Sequence, residues 1–141
     1  MGISKATAQW DGGFKTGKGV MKPAHAPEAQ YSAGTRFEGQ AGSNPEELLG
    51  AALAGCFSMA LTVGLEKAGQ KPVSVHTSAD VTLEKVGEGF SITTIALTSQ
   101  ASVPGLDDAT FQTIAEATKK GCPVSRALGA VTITLKATLA T

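Results

Sequence analysis

The longest apolar stretch of the chain runs from Leu48 to Leu65 without a charged residue. Just before it, Asn44 is a preferred N-cap residue, and Pro45 suits the first helical position, where no N–H is needed. Just after it, Gly69 suits a left-handed C-cap. The pattern therefore predicts a central helix over about residues 44–69. A helix that is apolar on every side must be surrounded by protein or lipid.

The chain beyond this helix, residues 73–141, alternates in a way that predicts strands and helices in the order β-β-α-α-β. Residues 73–86 alternate apolar and polar side chains, and a glycine-rich turn leads into a second strand over 90–103, so the two form an antiparallel hairpin. A capped helix follows and ends at Gly121. Cys122 then takes the N-cap position of a short helix, and Val131–Leu139 alternates as a closing strand.

The first 40 residues are predicted to contain strands. Ile3–Trp10 and Phe14–Met21 flank a turn signal and favour a hairpin. Pro23–Gly34 is rich in Ala and Pro and is interpreted as a loop. Thr35–Gly39 is interpreted as a short extended piece that carries Arg36 to the start of the central helix.

These elements predict one α+β domain over residues 1–141, with antiparallel sheets around a long buried central helix. One sheet covers only one face of that helix, so the other face needs a second cover. An identical helix would serve, since small side chains let two backbones approach closely. We therefore expect a twofold homodimer. The small residues are Ala51, Ala52, Ala54 and Gly55.

Composition narrows the classes of partner and cofactor. Twelve basic and twelve acidic residues give no net charge, which argues against nucleic acid or an anionic membrane as the main partner. The central stretch is long enough to raise the question of a membrane span, but its many small residues and its capped ends favour a soluble protein. No secretory signal is apparent, so we expect a cytoplasmic protein with reduced thiols. Neither His25 nor His76 lies at ligand spacing from a cysteine, so we expect no metal site and no cofactor.

The two cysteines are the candidate chemical groups, because a thiolate is a nucleophile. Cys122 lies at a helix N-terminus, where the partial positive charge favours an anion. Cys56 lies in an apolar setting that raises a thiol pKa, so it needs a cation, and Arg36 is the natural candidate. Glu46 lies about 15 Å from Cys56 along the helix, at 1.5 Å per residue. It therefore cannot reach that cysteine in the same chain, although an antiparallel partner helix could bring it to the other subunit's cysteine.

Both cysteines and the arginine belong to longer motifs. These are TRFEG at 35–39, NPEEL at 44–48, AGCFSMA at 54–60 and GCPVS at 121–125. Together they resemble the OsmC/Ohr family of thiol peroxidases, closest to the osmotically inducible OsmC branch. The resemblance runs almost from end to end of the chain.

The resemblance implies a fold, an activity and a role for four residues. It implies an intertwined homodimer that reduces organic hydroperoxides to alcohols without metal, haem or flavin. Cys56 would be the peroxidatic cysteine and Cys122 the resolving cysteine, and an external dithiol, such as a dihydrolipoyl group, would reduce their disulfide. Arg36 would stabilise the Cys56 thiolate, and Glu46 would hold Arg36 in place.

Two other hypotheses remain open at this stage. The chain could be a redox-sensing or ligand-binding dimer whose cysteine pair is oxidised without sustained turnover. It could instead be a structural dimer with two inert buried thiols. A peroxidase loses turnover of cumene hydroperoxide when Cys56 is replaced by Ser, whereas the other two hypotheses predict no turnover to lose.

Overall fold

The computed structural model describes residues 2–140, which fall into two compact units that meet in sequence after Leu48. The N-terminal unit holds an antiparallel sheet of three strands in the order β1-β2-β3. The strands are β1 (Ala6–Asp11), β2 (Lys18–Pro23) and β3 (Ala29–Tyr31). The predicted hairpin is present, but its second strand begins later than predicted, at Lys18. The predicted loop over 23–34 contains β3.

The stretch predicted to be extended, residues 35–39, is instead mostly helical. Helix α1 spans Ala33–Phe37, and its N-cap residue is Ser32, whose hydroxyl accepts from the Thr35 N–H at 3.1 Å. The Thr35 hydroxyl accepts in return from the Ser32 N–H at 2.9 Å. This is a capping box in which Thr stands where Glu or Gln is usual. The unusual residue is the reason why the sequence pattern did not indicate a helix.

Helix α2 spans Pro45–Lys67, as the apolar stretch predicted. The Asn44 side chain accepts from the Glu47 N–H at 2.8 Å, which confirms the predicted N-cap. At the other end Gly69 has a φ of 80°, and the Gln70 N–H bonds to the Leu65 carbonyl at 3.0 Å. Both ends therefore satisfy backbone groups that a helix leaves unpaired.

The C-terminal unit, residues 49–140, holds a second sheet in the order β4-β5-β6 and two helices. Its strands and helices are β4 (Ser74–Val86), β5 (Gly89–Ser102), α3 (Asp108–Gly121), α4 (Pro123–Ala127) and β6 (Thr132–Leu139). The β4–β5 hairpin is antiparallel, as predicted. The β5–β6 ladder is parallel, with Ile95 opposite Ile133, so the sheet is mixed rather than antiparallel throughout. The two helices between β5 and β6 supply the long crossover that parallel pairing needs.

The core of the C-terminal unit lies between one face of α2, the sheet and α3. The α2 residues Leu53, Phe57, Leu61 and Leu65 recur at four-residue spacing and are fully buried. They pack in one cluster with sheet residues such as Ile95 and with Phe111 of α3. Burying side chains of this size contributes about 1.5–3 kcal/mol each.

The opposite face of α2 is exposed in the single chain. Met59 is 73 % exposed, and Gly55 and Val63 are exposed on the same face. Among residues 2–140, α2 alone is long and apolar enough to cross a membrane. Core helices of soluble proteins share that composition, and the buried leucine stripe of α2 fits such a helix. The α+β class and the central helix are thus confirmed, whereas the single-domain and homodimer predictions stay predictions.

Candidate active site

The two cysteines, 66 residues apart in the chain, lie side by side in the C-terminal unit. Cys56 stands on α2 next to the buried Phe57, and Cys122 stands between α3 and α4. Their sulfur atoms are 3.1 Å apart, and both are free thiols. A disulfide bond is about 2.05 Å long, so closing it needs a movement of only about 1 Å. The two sulfurs are therefore close enough for a disulfide to form after a small movement.

The two sulfurs differ in exposure. Cys122 is 2 % exposed, whereas Cys56 is only partly buried. A reagent that arrives from solvent can therefore reach Cys56 more readily than Cys122.

Cys122 is the N-cap residue of α4, as the sequence predicted. Its sulfur accepts from the Ser125 N–H at 3.5 Å and lies 3.4 Å from the Ser125 hydroxyl. Ser125 is itself buried. The sequence interpretation missed this residue. The available signal was its position three residues after the N-cap, where a helix offers a free N–H to the capping side chain.

The thiol pKa values of the pair move in opposite directions. Burial raises the pKa of Cys56, and the neighbouring Cys122 thiol adds to that rise, while the Val124 N–H lowers it only in part. Burial also acts to raise the pKa of Cys122, but the Ser125 hydroxyl and N–H, together with other hydrogen bonds, outweigh it and lower that pKa. Within this unit the hydrogen bonds thus favour the thiolate of Cys122 over that of Cys56, whereas the family resemblance assigns the activated thiolate to Cys56.

Arg36 and Glu46 meet in the N-terminal unit. The Arg36 Nε atom lies 3.1 and 3.2 Å from the two Glu46 carboxylate oxygens, and its Nη2 atom lies 2.5 Å from one of them. The Glu46 side chain is 7 % exposed and that of Arg36 is 34 % exposed. Glu46 stands in the first turn of α2, which fixes the carboxylate that holds the guanidinium. The predicted contact between these two residues is thus present.

An apolar cleft of about 340 Å³ lies beside this ion pair in the N-terminal unit, and Arg36 lines its wall. Four aromatic side chains contribute most of the remaining wall, namely Trp10, Phe14, Tyr31 and Phe37. The Arg36 guanidinium stands 5.4 Å from the centre of the Phe37 ring, which favours a cation–π contact. The cleft thus combines one cationic group with an aromatic lining.

Among the residues that the structure describes, no group of three or more His, Cys, Asp or Glu side chains is placed to hold a metal.

Comparison with known proteins identifies the family. The family model described as "OsmC-like protein" matches residues 37–136 of the chain. The chain belongs to the OsmC family. The resemblance drawn from the motifs is thereby confirmed.

Named relatives of this OsmC-family chain lie in both branches. It is 52 % identical to the peroxiredoxin OsmC of Escherichia coli (strain K12) over 128 residues, which cover 89 % of this chain and 90 % of that protein. It is 32 % identical to an organic hydroperoxide resistance protein of Xanthomonas axonopodis pv. citri over 96 residues, or 67 % of this chain and 66 % of that protein. The higher identity and wider coverage favour the OsmC branch.

Solved structures share the OsmC fold along nearly the whole chain. An OsmC-like protein from Mycoplasma pneumoniae matches with a TM-score of 0.77 at 13 % identity, covering 99 % of both chains. The organic hydroperoxide resistance protein OhrB of Bacillus subtilis matches with a TM-score of 0.70 at 25 % identity, covering 94 % of this chain and 97 % of that one. The predicted OsmC-like fold is therefore confirmed.

Proposed function

We propose that this chain is a thiol-dependent peroxidase that reduces organic hydroperoxides to alcohols through a disulfide between Cys56 and Cys122. The observation that carries the proposal is the 3.1 Å separation of two free thiols, of which one is accessible and one is buried. The names of the relatives, a peroxiredoxin and an organic hydroperoxide resistance protein, support the same reaction.

Cys56 is the peroxidatic residue in this proposal. Its sulfur is the more accessible of the two, and a peroxide must reach the attacking sulfur. Burial and the neighbouring thiol raise the pKa of Cys56, so the attacking thiolate needs a nearby positive charge. In this proposal Arg36 supplies that charge across the homodimer, because Glu46, which holds its guanidinium, cannot reach Cys56 of the same chain.

The reaction proceeds in two oxidative steps. The Cys56 thiolate attacks the distal peroxide oxygen, the O–O bond breaks, and the alkoxide leaves and takes up a proton to become the alcohol. Cys56 is left as a sulfenic acid. The Cys122 thiolate attacks its sulfur, hydroxide leaves and is protonated to water, and the disulfide forms. An external dithiol, for which a dihydrolipoyl group is our candidate, then reduces the disulfide and is oxidised in its place.

The lining of the aromatic cleft supports an organic substrate. A hydroperoxide with an aryl or alkyl group would bury apolar surface there, whereas hydrogen peroxide has none to bury. The arginine on the wall offers donors for the peroxide oxygens. We therefore propose that hydrogen peroxide is the poorer substrate.

The exposed face of α2 supports the proposed homodimer, since Gly55, Met59 and Val63 would otherwise leave an apolar stripe in water. A second copy of α2 is the occupant in this proposal. We place the protein in the cytoplasm, where its thiols would be returned to the reduced state.

The decisive experiment is steady-state turnover of cumene hydroperoxide against hydrogen peroxide, with dihydrolipoamide and a monothiol compared as reductants. Wild-type protein should consume the organic peroxide faster and prefer the dithiol. Cys56→Ser should be inactive, and Cys122→Ser should stall after a single turnover. Full activity of Cys56→Ser would refute the proposal. Oxidation of both thiols without repeated turnover would favour a redox sensor instead.

A further inference from the structure

The Cys122 sulfur is held by Ser125, a residue to which the proposed reaction gives no role so far. The Ser125 hydroxyl lies 3.4 Å from the sulfur, and its N–H donates to the same atom at 3.5 Å. Ser125 is buried, and its side chain faces a sulfur that is also buried. One backbone donor and one hydroxyl, which can donate to a thiolate, therefore contact one sulfur of the pair in a buried part of the site.

We propose that Ser125 is a positioning residue that makes Cys122 the leaving sulfur when the disulfide is reduced, so that the incoming dithiol attacks Cys56. This inference rests on the proposed function, because it concerns the disulfide which that function forms. It adds the direction of the reductive step, which the positions of the cysteines in the sequence leave open.

Two independent features of the site lead to the same direction. Attack on one sulfur of a disulfide expels the other, and the sulfur that is the more stable thiolate leaves faster. Ser125 offers its hydroxyl and its N–H to the thiolate of Cys122. Access in the single chain favours the same outcome, because Cys56 is more exposed there than Cys122. The opposite pKa shifts of the two thiols agree with this order, since that of Cys122 is lowered and that of Cys56 is raised.

The reductive step then balances as follows. A thiolate of the external dithiol attacks the Cys56 sulfur, and a mixed disulfide forms there. The bond between Cys56 and Cys122 breaks, and its electron pair goes to Cys122, where Ser125 stabilises the anion. The second thiol of the reductant then attacks the reductant's first sulfur, which is the one bonded to Cys56 in the mixed disulfide. The oxidised dithiol leaves, and the Cys56 thiolate is restored.

The direction of attack can be measured on the wild-type protein. The disulfide is made with diamide rather than with a peroxide and is mixed with excess 2-mercaptoethanol. The reaction is quenched in acid, free thiols are alkylated at low pH, and mass spectrometry of the peptides locates the mercaptoethanol. We expect it on Cys56, with Cys122 alkylated. Mercaptoethanol found mainly on Cys122 would overturn the inference.

The role of the hydroxyl is tested with three variants. Ser125→Ala keeps the backbone N–H and removes the hydroxyl, so the disulfide should be reduced by dihydrolipoamide about three- to tenfold more slowly. This range assumes that roughly half the stabilisation from a hydrogen bond to a charged group is present in the transition state. Ser125→Thr restores a hydroxyl and should recover the rate. Ser99→Ala is the matched control, since it removes a buried hydroxyl that bonds to Thr77 rather than to a sulfur.

The outcomes separate this inference from the proposed function. If Ser125→Ala is reduced as fast as Ser99→Ala, Ser125 does not govern the leaving sulfur. If Ser125→Ala does not fold, the wild-type measurement still decides the direction of attack. If the protein consumes no organic peroxide, the proposed function fails, while the diamide-made disulfide still tests which sulfur is attacked.

Discussion

The ion pair between Arg36 and Glu46 provides the sharpest stability prediction. Glu46→Gln removes the negative charge from a side chain that is 7 % exposed and leaves one oxygen to accept from a guanidinium that is 34 % exposed. A hydrogen bond to a charged group contributes about 1.5–3 kcal/mol. Solvent at the partly exposed arginine screens part of that contribution. We expect unfolding to become easier by about 1–2 kcal/mol, or a melting temperature lower by about 3–6 °C.

The matched control is Glu47→Gln at the next position of the same helix end. Glu47 is exposed, and its carboxylate accepts from the Ser43 hydroxyl at 3.0 Å. Both substitutions remove one negative charge near the α2 N-terminus, so the general effect of the helix dipole cancels in the comparison. The difference between the two variants therefore reports the contact with Arg36.

The assay is urea unfolding followed by circular dichroism, with cumene hydroperoxide turnover measured on the same samples. Under the proposed function, Glu46→Gln should also lower turnover, because the guanidinium loses the partner that fixes its orientation. Equal unfolding midpoints for Glu46→Gln and Glu47→Gln would show that the ion pair does not stabilise the fold, and the estimate above would be wrong.

Three further predictions concern association, pH and packing. Gly55→Leu should convert the proposed dimer to monomer in sedimentation. A Cβ at Gly55 has no neighbouring side chain of its own chain within 4 Å, so the larger side chain would displace only a partner helix. An unchanged dimer would contradict that interface. The Thr110 N–H donates to the Asp107 carboxylate and lowers its pKa in the folded protein. The stabilisation of the fold by this charged carboxylate is therefore complete above about pH 3.9, the pKa of Asp in the unfolded chain, and is lost as the pH falls through the lower pKa of the folded state. Asp107→Asn should reduce the fall of the urea midpoint as the pH is lowered in the acid range. If the urea midpoint of the variant falls as steeply as that of the wild-type protein, Asp107 is not the group responsible. Leu61→Ala should cost about 2–5 kcal/mol in urea unfolding, because Leu61 is fully buried in the core; a cost below about 1 kcal/mol would contradict its packing.

Sequence patterns predicted those elements whose signals are local. Asn44 and Gly69 marked both ends of α2, and strict alternation marked the β4–β5 hairpin. The sequence pattern did not predict helix α1, because Thr35 stands where Glu or Gln is usual in a capping box. The sequence did not predict the parallel pairing of β6, because the alternation of side chains indicates which face of a strand is buried and not the direction of the neighbouring strand.

The family resemblance indicated the residues of the candidate site and two of the contacts among them, but not the hydrogen bonds of Ser125. The motifs indicated Cys56, Cys122, Arg36 and Glu46, because the family resemblance assigns each a role. The proximity of the two sulfurs depends on how the α3–α4 connection packs against α2, which no local spacing encodes. Ser125 was hidden for the same reason, since its hydroxyl matters only through its contact with the buried sulfur.

Under the proposed function, the 66-residue separation of the two cysteines affects how strongly the protein resists unfolding before and after the disulfide forms. A covalent link across a loop of that length restricts the unfolded chain and stabilises the fold by about 4 kcal/mol in the chain-entropy estimate. Oxidation would thus stabilise the C-terminal unit against unfolding, and reduction by the dithiol would remove that stabilisation. A molecule waiting for its reductant would be harder to degrade than one waiting for peroxide.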